Sequence, residues 1–222
     1  MAYSHPLGLQ QLISLSEVKV RQKPTGFKGN KYAVLTSNGD VILEAKEEGN
    51  AIGALFGGNS RAFHMDLYDT QDKLIFSLRR PYTFGSDKME VSMYGSVACV
   101  VRQQPTFFKP VLHINDEADR PVLRIKGDFS EWTFKLQTSA KQQIGIITKK
   151  FGGFFKEAFT DNDTYFVKFP ADLDARYKAA VLGSCVLIVS ILLLSYNTLV
   201  FASITSCSPR LRAPRAHSKI LY

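Results

Sequence analysis

The chain has 222 residues and a mass of 24.8 kDa, 45% of it hydrophobic and 22% charged. That is enough to bury a core without disulfide or metal staples, and too apolar for wholesale disorder. Lysine and arginine number 28 against 20 acids, and the formal charge of +8 points to an anionic partner, either nucleic acid or a membrane surface. Three cysteines, Cys99, Cys185 and Cys207, are too few and too scattered for a disulfide framework or a zinc site, and fit a reducing compartment.

The N-terminal MAYSHPLGLQQ has no basic stretch followed by an apolar run, so no signal peptide is expected. Ala2 stands where myristoylation needs glycine. Residues 1–16 read as a lead-in. From Glu17 the pattern alternates with period two. Lys31–Lys46 forms two alternating runs about an Asn-Gly turn, a strong hairpin signal. The same plan recurs in Phe63–Arg79, in Met89–Arg102 about Gly95-Ser96, in Val111–Lys126 and in Trp132–Lys149. Five hairpins, with Glu17–Arg21 before them and Thr164–Phe169 after, predict twelve strands. On the first strand and the loop after it stand Lys19, Arg21, Lys23, Lys28 and Lys31, with only Glu17 beside them. They read as a solvated strand face or as a patch for lipid headgroups or nucleic-acid phosphates.

From Ala179 to Pro209 there is no Asp, Glu, Lys, Arg or His. The stretch Ala179–Leu194 is almost continuously apolar, and as a helix it is about 24 Å long, short of the roughly 30 Å hydrocarbon core. It reads as a marginal membrane span or as a helix buried on every side. Twelve strands about 4.8 Å apart and tilted near 40° close a barrel roughly 24 Å across, and a helix about 10–12 Å wide fits its lumen. The expected architecture is therefore mainly β: a closed, antiparallel, twelve-stranded barrel over residues 17–195 around a hydrophobic helix at 176–195. A sandwich with a tail anchor predicts the same strands and leaves the helix outside. Residues 196–222 form an atypical tail with Arg210, Arg212, Arg215 and Lys219, half of the chain's positive excess.

The stretch Ile144–Ile188 carries a G-x-I, a basic pair, a Gly-aromatic step, EAFTD, FP-x-DLD and K-A-x-x-x-G-x-C-x-L-I. With PLGLQQL, PTGFKGNKYAV and FHMDLYD…LIFSLRRP, it resembles the phospholipid scramblase family from about residue 5 to 195. The resemblance implies the tubby-like barrel around a C-terminal helix. It also implies calcium-stimulated, ATP-independent movement of phospholipids between leaflets at the plasma membrane, with the barrel on the cytoplasmic side. The family's proposed calcium segment maps onto Asp161, Asp163, Tyr165, Val167, Phe169 and Asp172. A twelve-residue calcium loop takes Gly at its sixth position and Glu at its twelfth, where this chain has Phe166 and Asp172. TYFVKF also alternates like a strand, so an Asp-rich turn leading into the last strand is the competing reading. The family's long Pro-rich N-terminus and its Cys-rich palmitoylation cluster are missing, with no cysteine before Cys99. Of its basic nuclear-import stretch only Lys149, Lys150 and Lys156 remain.

Nothing in the chain supports covalent or acid–base catalysis: there is no G-x-S-x-G, no H-E-x-x-H and no phosphate-binding glycine loop. Three readings follow. The chain is a lipid translocator, or a membrane-associated binding module with its helix inside the barrel, or a nucleic-acid binder. The last has no recognised motif behind it. The expected partners are a phospholipid membrane and its anionic lipids, with protein partners for the binding-module reading, and one helix cannot both span a bilayer and fill the barrel.

Overall fold

The computed structural model describes residues 5–24, 30–48, 62–81, 88–106, 109–128, 131–149 and 163–188. Each period-two run forms a strand: β1 Glu17–Pro24, β2 Asn30–Leu35, β3 Val41–Glu48, β4 Phe63–Asp69, β5 Leu74–Arg80 and β6 Lys88–Met93. β7 Ser96–Gln104, β8 Val111–Asn115, β9 Pro121–Asp128, β10 Thr133–Thr138, β11 Gln143–Lys149 and β12 Asp163–Lys168 complete the set. Every neighbouring pair is antiparallel, and β12 closes on β1 through Glu17–Lys168 to Gln22–Asp163. The result is the closed twelve-stranded barrel expected from the alternation, with no sheet edge left to pair with another chain. The lead-in holds a helix that the period-two reading missed, α1 Leu7–Ser14, which lies on β3 and β4 and buries Leu9 and Leu12.

The barrel's two ends are built differently. Five connections at one end are tight turns, between β2 and β3, β4 and β5, β6 and β7, β8 and β9, and β10 and β11. Four of these share one geometry. The backbone N–H groups of Gly39, Asp72, Asp119 and Lys141 bond back to the carbonyls of Thr36, Asp69, Asp116 and Thr138, and all four residues have positive φ. This is a type I turn closed by a left-handed residue, which suits the twist of paired strands. The fifth turn is Tyr94-Gly95, one residue earlier than expected, with φ of 52° and 79°. A two-residue hairpin needs positive φ at both central positions, and the glycine fills the second. The connections at the other end, after β1, β3, β5, β7, β9 and β11, include all the longer segments between strands. The two ends are called here the turn end and the loop end.

After β12 the chain turns at the turn end and enters a second helix, α2, over residues 175–188. Residues 178–188 are buried without interruption, so the helix has no solvent face. It starts beside the turn end, where the Arg176 carbonyl accepts from Cys99, and descends to Gly183, which faces Met89 and Leu78. Its position settles the alternatives left open above: residues 178–188 fill the lumen, which excludes the sandwich with an external anchor. Among the described residues no helix is long and apolar enough to cross a membrane. The polar side chains inside are satisfied locally, because Ser184 Oγ and Cys185 Sγ donate to the carbonyls four residues back, at 2.8 and 3.4 Å. Residues 189–195 of the expected helix and the tail 196–222 lie outside the described residues.

Two outcomes test this arrangement. A Cβ on Gly183 would come within 2.6 Å of Met89 Cε and 2.9 Å of Leu78 Cδ2, so Gly183→Val should destabilise the fold by about 1–3 kcal/mol. The midpoint of urea unfolding reads this, and an unchanged midpoint would mean that α2 is not held against β5 and β6. At the turn end, the Arg102 guanidinium holds the Asp119 carboxyl down at about 2. A carboxyl lowered in the folded state contributes stability above the ordinary value near 4, and that contribution is lost as pH falls towards 2. Thermal unfolding should therefore drop over that window, with a shallower drop in Asp119→Asn.

Candidate functional site

The structure divides the basic cluster that the sequence singles out. Lys19 is committed at the turn end: its Nζ donates to the Ser37 carbonyl at 2.6 Å and lies 5.7 Å from the Phe166 ring. Arg21 is exposed, opposite Ala33 on one side and Thr164 on the other. Lys23 stands opposite Lys31, and Lys31 opposite Lys46, so three lysines share one row across β1, β2 and β3 near the loop end. Asp66 stands opposite Lys46 in the register of β4 and accepts from Ser77 Oγ at 2.6 Å. Lys28 lies outside the described residues. Lys46 joins the row only through hairpin register, which the Asn-Gly turn signalled.

The calcium segment is spread out rather than gathered. Tyr165, Val167 and Phe169 are inward residues of β12 and the turn after it, 1%, 1% and 4% exposed. Asp163 opens β12 at the loop end and Asp172 is exposed in the turn beyond its other end. At about 3.3 Å per residue the strand keeps those two carboxylates well beyond the reach of one ion. Asp161 lies outside the described residues, and among the described residues no group of three potential ligands converges. The described positions among the six are therefore not gathered about one point, because alternation along the strand sends Tyr165 and Val167 into the core.

A site that sequence reasoning missed lies where α1, the 169–174 turn and α2 meet. Lys178 is 0% exposed, and its Nζ donates to the carbonyls of Leu12, Ile13, Leu15 and Ala171 at 3.2, 2.7, 2.7 and 2.9 Å. Its ammonium also lies 5.1 Å from the Phe169 ring. The carbonyls ending α1 are left over by helix geometry, and the cation satisfies them where the helix dipole favours positive charge. Burial lowers the Lys178 pKa and the charge of Asp172 opposes that shift. The other end of α1 is held by Asp69, whose carboxylate accepts from the backbone N–H groups of Gly8, Gln71 and Lys73. Burial works to raise the Asp69 pKa, but these bonds outweigh it and the net shift is downward. The one sequence signal for Lys178 was its place as the last charge before the apolar run.

The comparisons with known proteins agree with this architecture. A sequence model of the scramblase family matches residues 2–191. The chain belongs to the scramblase family. Rat phospholipid scramblase 1 is 29% identical over 205 residues, which cover 82% of this chain and 61% of the rat protein. Bovine phospholipid scramblase 2 is 29% identical, covering 82% and 70%, and human phospholipid scramblase family member 5 is 27% identical, covering 83% and 76%. This chain thus spans about three fifths of the rat relative's length. Among solved structures, a protein from Arabidopsis thaliana matches with a TM-score of 0.51 and 14% identity over 85% of this chain and 99% of that one, a likeness of fold.

The Lys178 cage predicts a specific loss. Lys178→Met leaves the carbonyls without their donor inside the protein, and each such group costs about 1–3 kcal/mol. Urea unfolding should show a loss of about 3 kcal/mol or more, and limited proteolysis should cut within residues 5–16. An uncut N-terminus at wild-type stability would remove the cage from the account.

Proposed function

We propose that this scramblase-family protein associates with a phospholipid membrane and promotes movement of phospholipids between its leaflets, without ATP and with calcium as the stimulus. The observation that supports the reading is the family match over residues 2–191 together with the uninterrupted barrel and filled lumen. Moving a lipid across a bilayer requires no nucleophile; it requires a lower barrier for the headgroup in hydrocarbon, through a polar path or a local distortion of the bilayer. With α2 inside the barrel, the reading that suits the described residues is attachment from the membrane surface and action by distortion. The membrane proposed is the plasma membrane, with the barrel on its cytoplasmic side and anionic lipids beneath it. Calcium, in this proposal, acts at the loop end through Asp161 and Asp163, since Tyr165, Val167 and Phe169 are taken up by the core.

The buried helix favours a second reading, a membrane-associated binding or adaptor module that does not itself move lipid. A liposome assay separates the two. Purified protein in vesicles carrying a fluorescent phospholipid should speed its exposure to a membrane-impermeant quencher, more so with calcium. Asp161→Ala combined with Asp163→Ala should abolish the calcium-dependent part. Vesicle binding without any acceleration would support the adaptor reading and defeat the translocator.

A further inference from the structure

The outer wall of β8, β9 and β10 carries a patch of charge that the fold does not use. Arg124 and Lys126 on β9 and Lys135 on β10 alternate with the core residues Leu123, Ile125, Phe134 and Leu136, each 5% exposed or less, so their side chains lie outside the barrel. Lys126 stands directly opposite Lys135, and Arg124 stands opposite His113 on one side and Gln137 on the other. Neighbouring strands are about 4.8 Å apart and two residues along a strand span about 6.6 Å, so three cations and an imidazole are within reach of one small anion.

Among the described residues none of these three cations has an ion-pair or side-chain hydrogen-bond partner, and Arg124 Nε is shut off from solvent without an acceptor. An orphaned guanidinium N–H and two like charges face to face are costs that a bound anion offsets. The acids that border the patch are engaged elsewhere. Asp119 accepts from Arg102 Nε at 2.9 Å and Asp128 from Lys109 Nζ at 2.6 Å, while Glu131 acts on that same lysine. The patch is also bounded. In the row of Lys126 and Lys135 the next residues are Val111 on β8 and Ile146 on β11, and Lys168 beyond Ile146 is paired with Glu17 at 3.2 Å.

A nucleic-acid backbone calls for cations along a track, each meeting one diester charge. Three cations clustered together instead match a phosphomonoester, which carries about two negative charges and three acceptor oxygens, and the planar fork of arginine suits those oxygens. We propose that Arg124, Lys126 and Lys135, with His113 at their edge, form a binding site for a phosphomonoester group on the side of the barrel. The group is borne by a soluble compound or by a lipid headgroup such as that of phosphatidic acid. The site stands independently of the membrane reading above, since a soluble phosphate occupies it equally well.

His113 makes the test direct. Burial and the charge of Arg124 both hold its pKa below the ordinary value, so the ring is neutral at about pH 7.5 and reports an anion arriving beside Arg124. The full chain is titrated at that pH and low salt with glycerol 3-phosphate, and the His113 ring signal, assigned by its loss in His113→Gln, is followed by NMR. The expected result is a saturating shift that added salt weakens. Lys126→Gln with Lys135→Gln should weaken binding roughly tenfold, while its urea midpoint stays level or rises because the like-charge pair is gone. Lys73→Gln with Lys141→Gln, which alters two exposed cations of the turn end, should bind as the wild type does. Flotation with phosphatidylcholine vesicles containing phosphatidic acid, lost in the Lys126 and Lys135 double variant, assigns the phosphate to a lipid. Saturation by glycerol 3-phosphate without such flotation assigns it to a soluble compound. A His113 signal that does not move, or a response that the double variant keeps in full, would overturn the site. Binding of a single-stranded oligonucleotide through these residues, with no response to glycerol 3-phosphate, would overturn it as well.

Discussion

A closed barrel of twelve strands whose inward residues are apolar needs something to fill it. Inward side chains alone do not fill a lumen of that width, and an empty apolar space forfeits the contacts that would otherwise hold its walls. Here α2 supplies the filling, apolar on all faces from residue 179 onward and buried on every side. Small residues at its contact with β5 and β6, Gly183 above all, let the helix approach Met89 and Leu78 closely. Barrel and helix are therefore one cooperative unit. Withdrawing the helix would expose both the lumen and the apolar helix.

Two polar interactions at the turn end secure that unit. The Lys178 ammonium ties the start of α2 to the last carbonyls of α1, while Asp69 ties the start of α1 to the turn between β4 and β5. A buried ammonium is costly unless its hydrogens are accepted, and four carbonyls share its three. The cage links residues more than 160 positions apart in the chain, so the N-terminal helix is part of what holds the C-terminal one. A route by which α2 enters a bilayer would have to break this cage first. That requirement is the physical content of the conflict between filling the barrel and spanning a membrane.

The charge arrangement bears on function in a way that net charge does not. A value of +8 is compatible with any anionic partner. Along the barrel wall, exposed Arg21, Arg79, Lys126 and Lys135 lie towards the loop end, while the turn end mixes exposed Asp40, Asp72, Glu117 and Asp172 with exposed Lys73, Arg120 and Lys141. The acids of the turn end are largely engaged, as in Asp119 with Arg102 and Asp174 with Arg176.

Most of the fold was legible in the sequence, because alternation and turn residues are local signals. The Asn38-Gly39 turn, the alternation of Phe63–Asp69 and the charge-free run after Lys178 determined the strands, their order and the presence of an apolar helix. The hairpin at Tyr94-Gly95 was placed one residue off, since tyrosine gives no local warning that it will adopt positive φ. α1 was missed because two buried leucines in eight residues are too short a pattern to stand out. What only the tertiary structure decided was long-range. Burial put residues 178–188 in the lumen, strand alternation parted the described residues of the expected calcium segment, and the end of α1 closed its carbonyls on Lys178. Each depends on contacts or faces set by pairing between distant segments, which no local pattern encodes.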